Sequence, residues 1–279
     1  MCHKCPSASK TKNNYYAEEQ EFDRFLAGMH HDKSDVKPYK KRSLSILEEL
    51  INEIESESEF DINNVPKEFL IGQYEKTTHP ALVPVDQMYR VQERKEYMLA
   101  EAYDAFKAMF AAAKAANIPA FKIISATRTF KDQKRLWQGK FNGNITKKTP
   151  CAGNVKCILR FLSMPGTSRH HWGTDVDIFS ISPKDFAYGK GKKIYDWLKA
   201  NAHRFGFYQP YTDKRIFKNR TGYEEEKWHW SYVPVSGKLL AQYIRQVEIK
   251  DITGFKGSEV AGKINMIENY VKGVNPDCK

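Results

Sequence analysis

An α+β fold, a small antiparallel sheet flanked by helices with extra helices at the N- and C-termini, is predicted by the order of patterns along the chain. Three observations carry that expectation. Helix-period patterns come first, short strand-like runs follow, and helical patterns return. The 279 residues have an ordinary globular composition, 41% hydrophobic and 28% charged, which excludes collagen-like, coiled-coil and wholly disordered chains. No internal repeat or low-complexity tract is present, and no stretch nears the roughly 18 consecutive apolar residues of a membrane span.

The elements follow in order. Residues 1–14 are polar and lysine-rich and predict a disordered arm or linker. Residues 15–84 predict an N-terminal helical extension. Within it, 15–30 are mildly amphipathic through Phe22, Phe25 and Leu26. Residues 43–58 place Leu44, Leu47, Ile51 and Ile54 on one helical face with glutamates opposite. A loop-rich stretch, 60–90, carries Pro66, Gly72, Pro80 and Pro84. Residues 85–250 form the main domain. It begins with an alanine-rich helix at about 91–116, stopped by Asn117-Ile118-Pro119. A buried strand is expected over 121–126, a short helix from Thr129 to Gln138, and a basic loop over 139–166. Asp175–Phe179 reads as a second strand, 192–204 as a helix carrying Ile194, Trp197 and Leu198, and Trp228–Val233 as a third strand. Helices at about 237–249 and 257–272 finish the chain, with 251–279 a C-terminal helical extension.

The net charge of +11 favours an acidic partner: nucleic acid, anionic lipid or an acidic wall polymer. Spread-out lysines and the lack of a recognition motif argue against nucleic acid. No secretory leader is visible at Met1, so either the protein works in the cytosol or a leader has been removed and a start Met supplied. The five cysteines bear on that choice. Cys151 and Cys157 bracket a short turn-permissive loop that a disulfide would close, implying an oxidising compartment. Cys2 and Cys5 have the spacing of half a zinc ribbon without its other half. A terminal disulfide to Cys278 is the preferred alternative. A lipid on Cys2, tying an exported protein to the membrane, would account for the odd cysteine.

Three segments carry chemistry: Ser168-Arg-His170-His171-Trp-Gly173-Thr-Asp175-Val-Asp177, Glu226-Lys-Trp228-His229-Trp230, and Ser125-Ala-Thr-Arg128 through Gln133. A turn at Gly173 leading into a strand lets His170 and Asp177 converge. Asp175 and Asp177 share one strand face because side chains alternate. A carboxylate beside a core strand is costly unless paired or metal-bound. Two histidines and one carboxylate make a standard catalytic zinc set with the fourth position left for water, and His229 is the natural third ligand. Glu226 is the natural base. Residues i and i+3 of a strand face opposite ways, so Glu226 must precede the strand or sit on a bulge. Each segment alone has a plainer reading: a surface histidine pair, an aromatic core patch holding a satisfied histidine, a solvated acidic run at Glu224–Glu226, and an Arg128 paired with a surface carboxylate.

Together the segments resemble the zinc D-Ala-D-Ala carboxypeptidase family of the vancomycin-resistance type, within a superfamily that includes lysostaphin-like peptidases and the hedgehog signalling domain. The family pattern S-x-H-x-x-G-x-A-x-D followed by E-x-W-H is matched by Ser168, His170, Gly173, Asp177, Glu226, Trp228 and His229. The upstream S-x-x-R-x-x-x-x-Q is matched by Ser125, Arg128 and Gln133. Trp197-Leu198, Asn201-Ala202 and Phe205-Gly206-Phe207 also fit, and the resemblance spans about 85–248. Asp175 departs from it, standing where the pattern has Ala; by motif position Asp177 is the ligand.

The resemblance implies a sheet carrying one zinc per chain on His170, Asp177 and His229. Glu226 would take a proton from the attacking water and pass it to the leaving amine. Arg128 would stabilise the oxyanion, and Ser168 and Gln133 would hydrogen-bond the substrate. Trp172, Trp228 and Trp230 would shape walls or core. The expected activity is hydrolysis of peptidoglycan stem peptides at a terminal D-amino acid, in the bacterial periplasm or envelope. An endopeptidase of the same chemistry and a non-catalytic wall-binding module are the alternatives; retained Glu226 and Arg128 argue against the module.

Overall fold

The computed structural model describes residues 60–143, 153–216 and 220–279, all within one compact unit running from Glu59 to Lys279. The expected arm at 1–14 and the helical patterns at 15–30 and 43–58 lie outside the described residues, as does Cys151.

A single turn, α1 (Lys67–Leu70), precedes a two-stranded antiparallel pair, β1 (Leu82–Pro84) and β2 (Tyr97–Leu99). The long helix α2 covers Ala100–Ala115. The expected helix at 91–116 thus loses its first nine residues. Tyr97, Met98 and Leu99 are all buried, and their backbone pairs with β1. Within α2, Ala102, Tyr103, Phe106, Met109 and Ala113 form the buried stripe of an amphipathic helix.

The main sheet has order β3-β4-β6-β5 and is antiparallel throughout. Its strands are β3 (Ile123–Ser125), β4 (Asp175–Ile178), β5 (Phe207–Tyr208) and β6 (His229–Tyr232). The strands expected at 121–126, 175–179 and 228–233 are therefore present, and β5 is an addition. The alternation Asp-Val-Asp-Ile in β4 decides its two faces. Val176 and Ile178, both fully buried, join Trp230 of β6 and Phe207 of β5 in the core, while both aspartates face the other way.

Helix α3 (Phe130–Phe141) starts where expected because Thr129 and Asp132 form a capping box, each side chain accepting from the other's backbone N–H. The one-turn helix α4 (Val155–Ile158), α5 (Gly189–Asn201) and α6 (Val233–Gln246) complete the helices. Beyond α6 the expected helix at 257–272 is replaced by short 3₁₀ turns and a π-turn over Ile267–Val271. Within 257–272, Asn265 holds a positive φ of 50°, which breaks helical continuity. Both flanks of the main domain pack into the same unit. Trp172 Nε1 donates to Leu70 O, Val65 N–H donates to Gln242 Oε1, and Asn275 N–H donates to Pro210 O.

Cys278 is free and fully buried, which corrects the expected terminal disulfide. The last turn, Pro276–Cys278, tucks the thiol inside, and burial pushes its pKa up to about 12. Cys157 is disulfide-bonded.

Candidate active site

The site is assembled from the turn before β4, the ends of β3 and β6, and the loop before β6. Arg169–Trp172 form one 3₁₀ turn, closed by Gly173 in the left-handed region at φ 72°. A Cβ at Gly173 would come within 2.7 Å of Leu82 Cδ2 and 3.1 Å of Leu99 N, so the turn and the close approach both require glycine. The chain then enters β4, as the convergence of His170 and Asp177 requires.

The two consecutive histidines have separate tasks. His171 brackets Arg128 from behind. Its Nδ1 lies 2.6 Å from Arg128 O while its Nε2 accepts from Gly166 N–H at 3.1 Å, which makes Nδ1 the protonated nitrogen. Tyr74 Oη donates to His171 O, and a Cβ at Gly72 would overlap the His171 ring. Burial lowers the His171 pKa to about 3, so the ring stays neutral. The carbonyl of His170 accepts Arg128 N–H at 3.0 Å, and the two histidines together fix the arginine's backbone.

His170 itself faces inward. Its Nδ1 lies 2.8 Å from Ala126 O, which makes Nδ1 the donor and leaves Nε2 a bare lone pair. That Nε2 is buried, has no hydrogen-bond partner, and lies 3.4 Å from Asp177 Oδ1, which is also buried and unpartnered. His229 pairs with Asp177 across β4 and β6, and its Nδ1 lies 3.8 Å from the same oxygen. One ligand atom from each of the three residues falls within 4.8 Å of the others, and all three residues are buried. Ligands of a tetrahedral ion at about 2.1 Å lie roughly 3.4 Å apart, so the residues present fit a metal of the zinc type. Two buried orphaned acceptors aimed at one point are otherwise costly.

Glu226 precedes β6, as the i, i+3 argument demands. Its backbone N–H donates to Tyr211 O, and its Oε2 lies 2.9 Å from His229 Nδ1. Burial, with the nearby Asp177 charge, raises its pKa against the opposing pull of His229 and Arg128. Arg128 reaches Asp177 Oδ2 at 3.4 Å and Ser125 Oγ at 3.3 Å, so its partner is a site carboxylate rather than a surface one. Burial would raise the Asp177 pKa, but His170, His229 and Arg128 outweigh it and hold it well below the usual carboxylate range.

Of the sequence-derived residues, His170, Asp177, His229, Glu226 and Arg128 come together, while Ser168 and Gln133 make no hydrogen bond to that set. Ser168 is buried with an unpartnered Oγ. Gln133 is fully buried; its Nε2 donates to Ser163 O at 2.8 Å, which ties α3 to the loop before the histidines. Trp172, Trp228 and Trp230 are core. Sequence reasoning placed Asp175 beside Asp177 on the strand face but missed Arg169, Ser231 and Tyr211 as neighbours of the metal set. Arg169 and Asp175 are both fully buried and paired at 3.1 Å, and the Tyr211 ring meets His229 edge-on at 4.9 Å. An arginine inside a histidine turn six residues before an aspartate was the available signal for the first pair.

Comparison with known proteins identifies the family. The model of the VanY D-alanyl-D-alanine carboxypeptidase family matches residues 95–235, half of the chain, a span that includes Arg128, His170, Asp177, Glu226 and His229. A D-alanyl-D-alanine carboxypeptidase of Enterococcus faecalis is 30% identical over 113 residues, 40% of this chain and 40% of that protein. The Bacillus subtilis carboxypeptidase YodJ is 30% identical over 188 residues, 64% of this chain and 61% of that protein. The alignments thus span less than two thirds of either relative. The solved structure of VanYB in complex with D-alanine-D-alanine has 24% identity and a TM-score of 0.41, over 59% of this chain and 94% of that one. With the family model matching half of its length, the chain belongs to the VanY D-alanyl-D-alanine carboxypeptidase family.

Proposed function

We propose that this chain is a zinc peptidase of peptidoglycan stem peptides, acting as a carboxypeptidase that removes a terminal D-amino acid, D-Ala first. The observation that carries the reading is the pair of buried, unpartnered atoms, His170 Nε2 and Asp177 Oδ1, aimed at the same point as His229 Nδ1. Three protein ligands leave a position open, as catalytic rather than structural zinc sites do.

Zinc held there, one per chain, would polarise the scissile carbonyl and acidify the attacking water. The chain's own residues do the rest. Arg128, with its backbone clamped by both histidines, presents a guanidinium to the carbonyl oxygen as negative charge develops. Glu226 takes the water proton on its carboxylate and delivers it to the leaving amine nitrogen; its raised pKa brings it closer to that task at neutral pH. The Ser168 hydroxyl, which has no protein partner, is assigned a hydrogen bond to substrate. Gln133 serves by holding the loop over Ser163.

The net charge of +11 suits an acidic wall polymer. Action on the wall would take place outside the cytoplasm, and the disulfide at Cys157 supports an oxidising compartment. A lipid on Cys2 would supply attachment to the envelope; no described helix is long and apolar enough to cross a membrane. The test is incubation of the zinc-loaded chain with stem tetrapeptide, stem pentapeptide and a cross-linked pair, with products read by mass. Loss of one alanine from the pentapeptide is expected. Cleavage of the cross-link alone would replace the carboxypeptidase with an endopeptidase. No cleavage of any substrate would make the chain a metal-holding wall-binding module.

A further inference from the structure

We propose that Asp175 is a positioning residue for the metal centre: it accepts the Nε2–H of His229 and so turns Nδ1 of that ring toward His170 and Asp177, while buried Arg169 holds the Asp175 carboxylate in place. The inference rests on the metal reading above and adds a residue at which the family pattern carries Ala.

The geometry leaves Asp175 one role toward the centre. Asp175 and Asp177 share a face of β4, opposite Ser231 and His229 of β6. That register sets the His229 ring between the two carboxylates, with Nε2 2.9 Å from Asp175 Oδ2 and Nδ1 toward Asp177 Oδ1. Both oxygens of Asp175 are already filled by protein donors. Oδ1 accepts from Thr174 Oγ1 at 2.7 Å and Ser231 Oγ at 2.8 Å; Oδ2 accepts from Arg169 Nε at 3.1 Å and from His229. A carboxylate with four donors has no lone pair left for an ion, which separates Asp175 from Asp177, whose Oδ1 is free.

Arg169 is fixed in turn. Its Nη2 donates to Ser231 Oγ and Ser236 Oγ, both at 2.7 Å, and its guanidinium lies 4.9 Å from the Trp172 ring. Neither residue of the pair reaches solvent. A histidine ring held by a carboxylate at one nitrogen presents the other in a single orientation and tautomer, and loss of such a partner typically weakens metal binding about 10- to 100-fold. A purely structural carboxylate would be served by Arg169, Thr174 and Ser231 alone; the fourth contact, to His229, is the one that reaches the ligand set.

The experiment measures Zn²⁺ affinity of the full chain by chelator competition. It compares wild type with Asp175→Ala/Arg169→Leu, a double change that avoids stranding a buried cation, each with and without His229→Ala. The double variant should bind Zn²⁺ about 10- to 100-fold more weakly while its metal-free unfolding midpoint stays near wild type. In the His229→Ala background the double change should have no further effect. An equal further loss there would make Asp175 a ligand and overturn the inference. A folded double variant that binds as tightly as wild type would also overturn it. Nitrogen-15 histidine spectra of zinc-loaded wild type give a measurement that needs no variant: His229 should show Nδ1 bound to metal and Nε2 bearing a proton, and the reverse overturns the inference. Wild type that binds no Zn²⁺ overturns the metal reading itself; wild type that binds, with the double variant unaffected, overturns only the positioning role.

Discussion

Replacing Asp175 with Ala should be among the most destabilising single changes in the described fold. Arg169 and Asp175 pair at 3.1 Å with side-chain exposures of 1% and 0%. The change leaves a guanidinium in the interior with two serine hydroxyls as its remaining partners, and it strands the Nε2–H of His229. Removing one member of a buried ion pair costs about 3–5 kcal/mol, because the other charge stays buried. In a unit of this size each kcal/mol lowers Tm by about 2–4 °C, so a fall of roughly 6–20 °C is expected. Asp175→Ala/Arg169→Leu removes both charges and should recover most of the loss. The pH dependence has a fixed sign. Burial would raise the Asp175 pKa, but Arg169 and His229 outweigh it and depress it well below the ordinary value. Its contribution is therefore complete above the unfolded carboxylate pKa of about 3.9 and is lost as pH falls through the folded one. Urea denaturation of the metal-free chain at neutral and acid pH measures all three quantities. A single variant within about 1 kcal/mol of wild type, or a double variant less stable than the single, would refute the buried-pair reasoning.

Glu226→Gln should keep its zinc and lose about 10²–10⁴-fold in turnover on stem pentapeptide, since the proton acceptor is gone while the ligand set is intact; equal turnover would show that the base is another group. Arg128→Ala should likewise keep zinc and lose about 10²–10³-fold in kcat, with stopped-flow or mass assays on the same substrate as the check. Burial would lower the His229 pKa, but its hydrogen bonds to Asp175 and Glu226, with the charge of Asp177, push it up to about 9 in the metal-free chain. Zinc must displace that proton, so affinity should rise with pH until about 9 and then level off; a flat competition titration would contradict the arrangement.

Much of the site was legible because it is local. The glycine turn, the alternation Asp-Val-Asp-Ile and the helix starting at Thr129 are each readable within about a dozen residues, and each forms as expected. Strand geometry left Glu226 either before β6 or on a bulge, and the structure places it before the strand. What was not legible depends on pairing at a distance. Whether Tyr97-Met98-Leu99 continue a helix or form a strand is decided by β1, and the apolar run alone looks the same in both. The helix expected at 257–272 fails at Asn265, whose positive φ interrupts it. The role of Asp175 hangs on the register of β4 against β6, which brings it to a histidine 54 positions away. Cys278 lies free in the core for a similar reason, since nothing in its own segment indicates what it packs against.

The central claim is that His170, Asp177 and His229 together hold one zinc ion. Its most direct test is elemental analysis of the purified full chain beside His170→Ala, Asp177→Ala and His229→Ala, each checked for folding by circular dichroism. The account predicts one zinc per wild-type chain and almost none in each folded ligand variant, because a three-ligand site loses most of its affinity with any one member. Zinc content in the Asp177→Ala chain equal to that of wild type would contradict it.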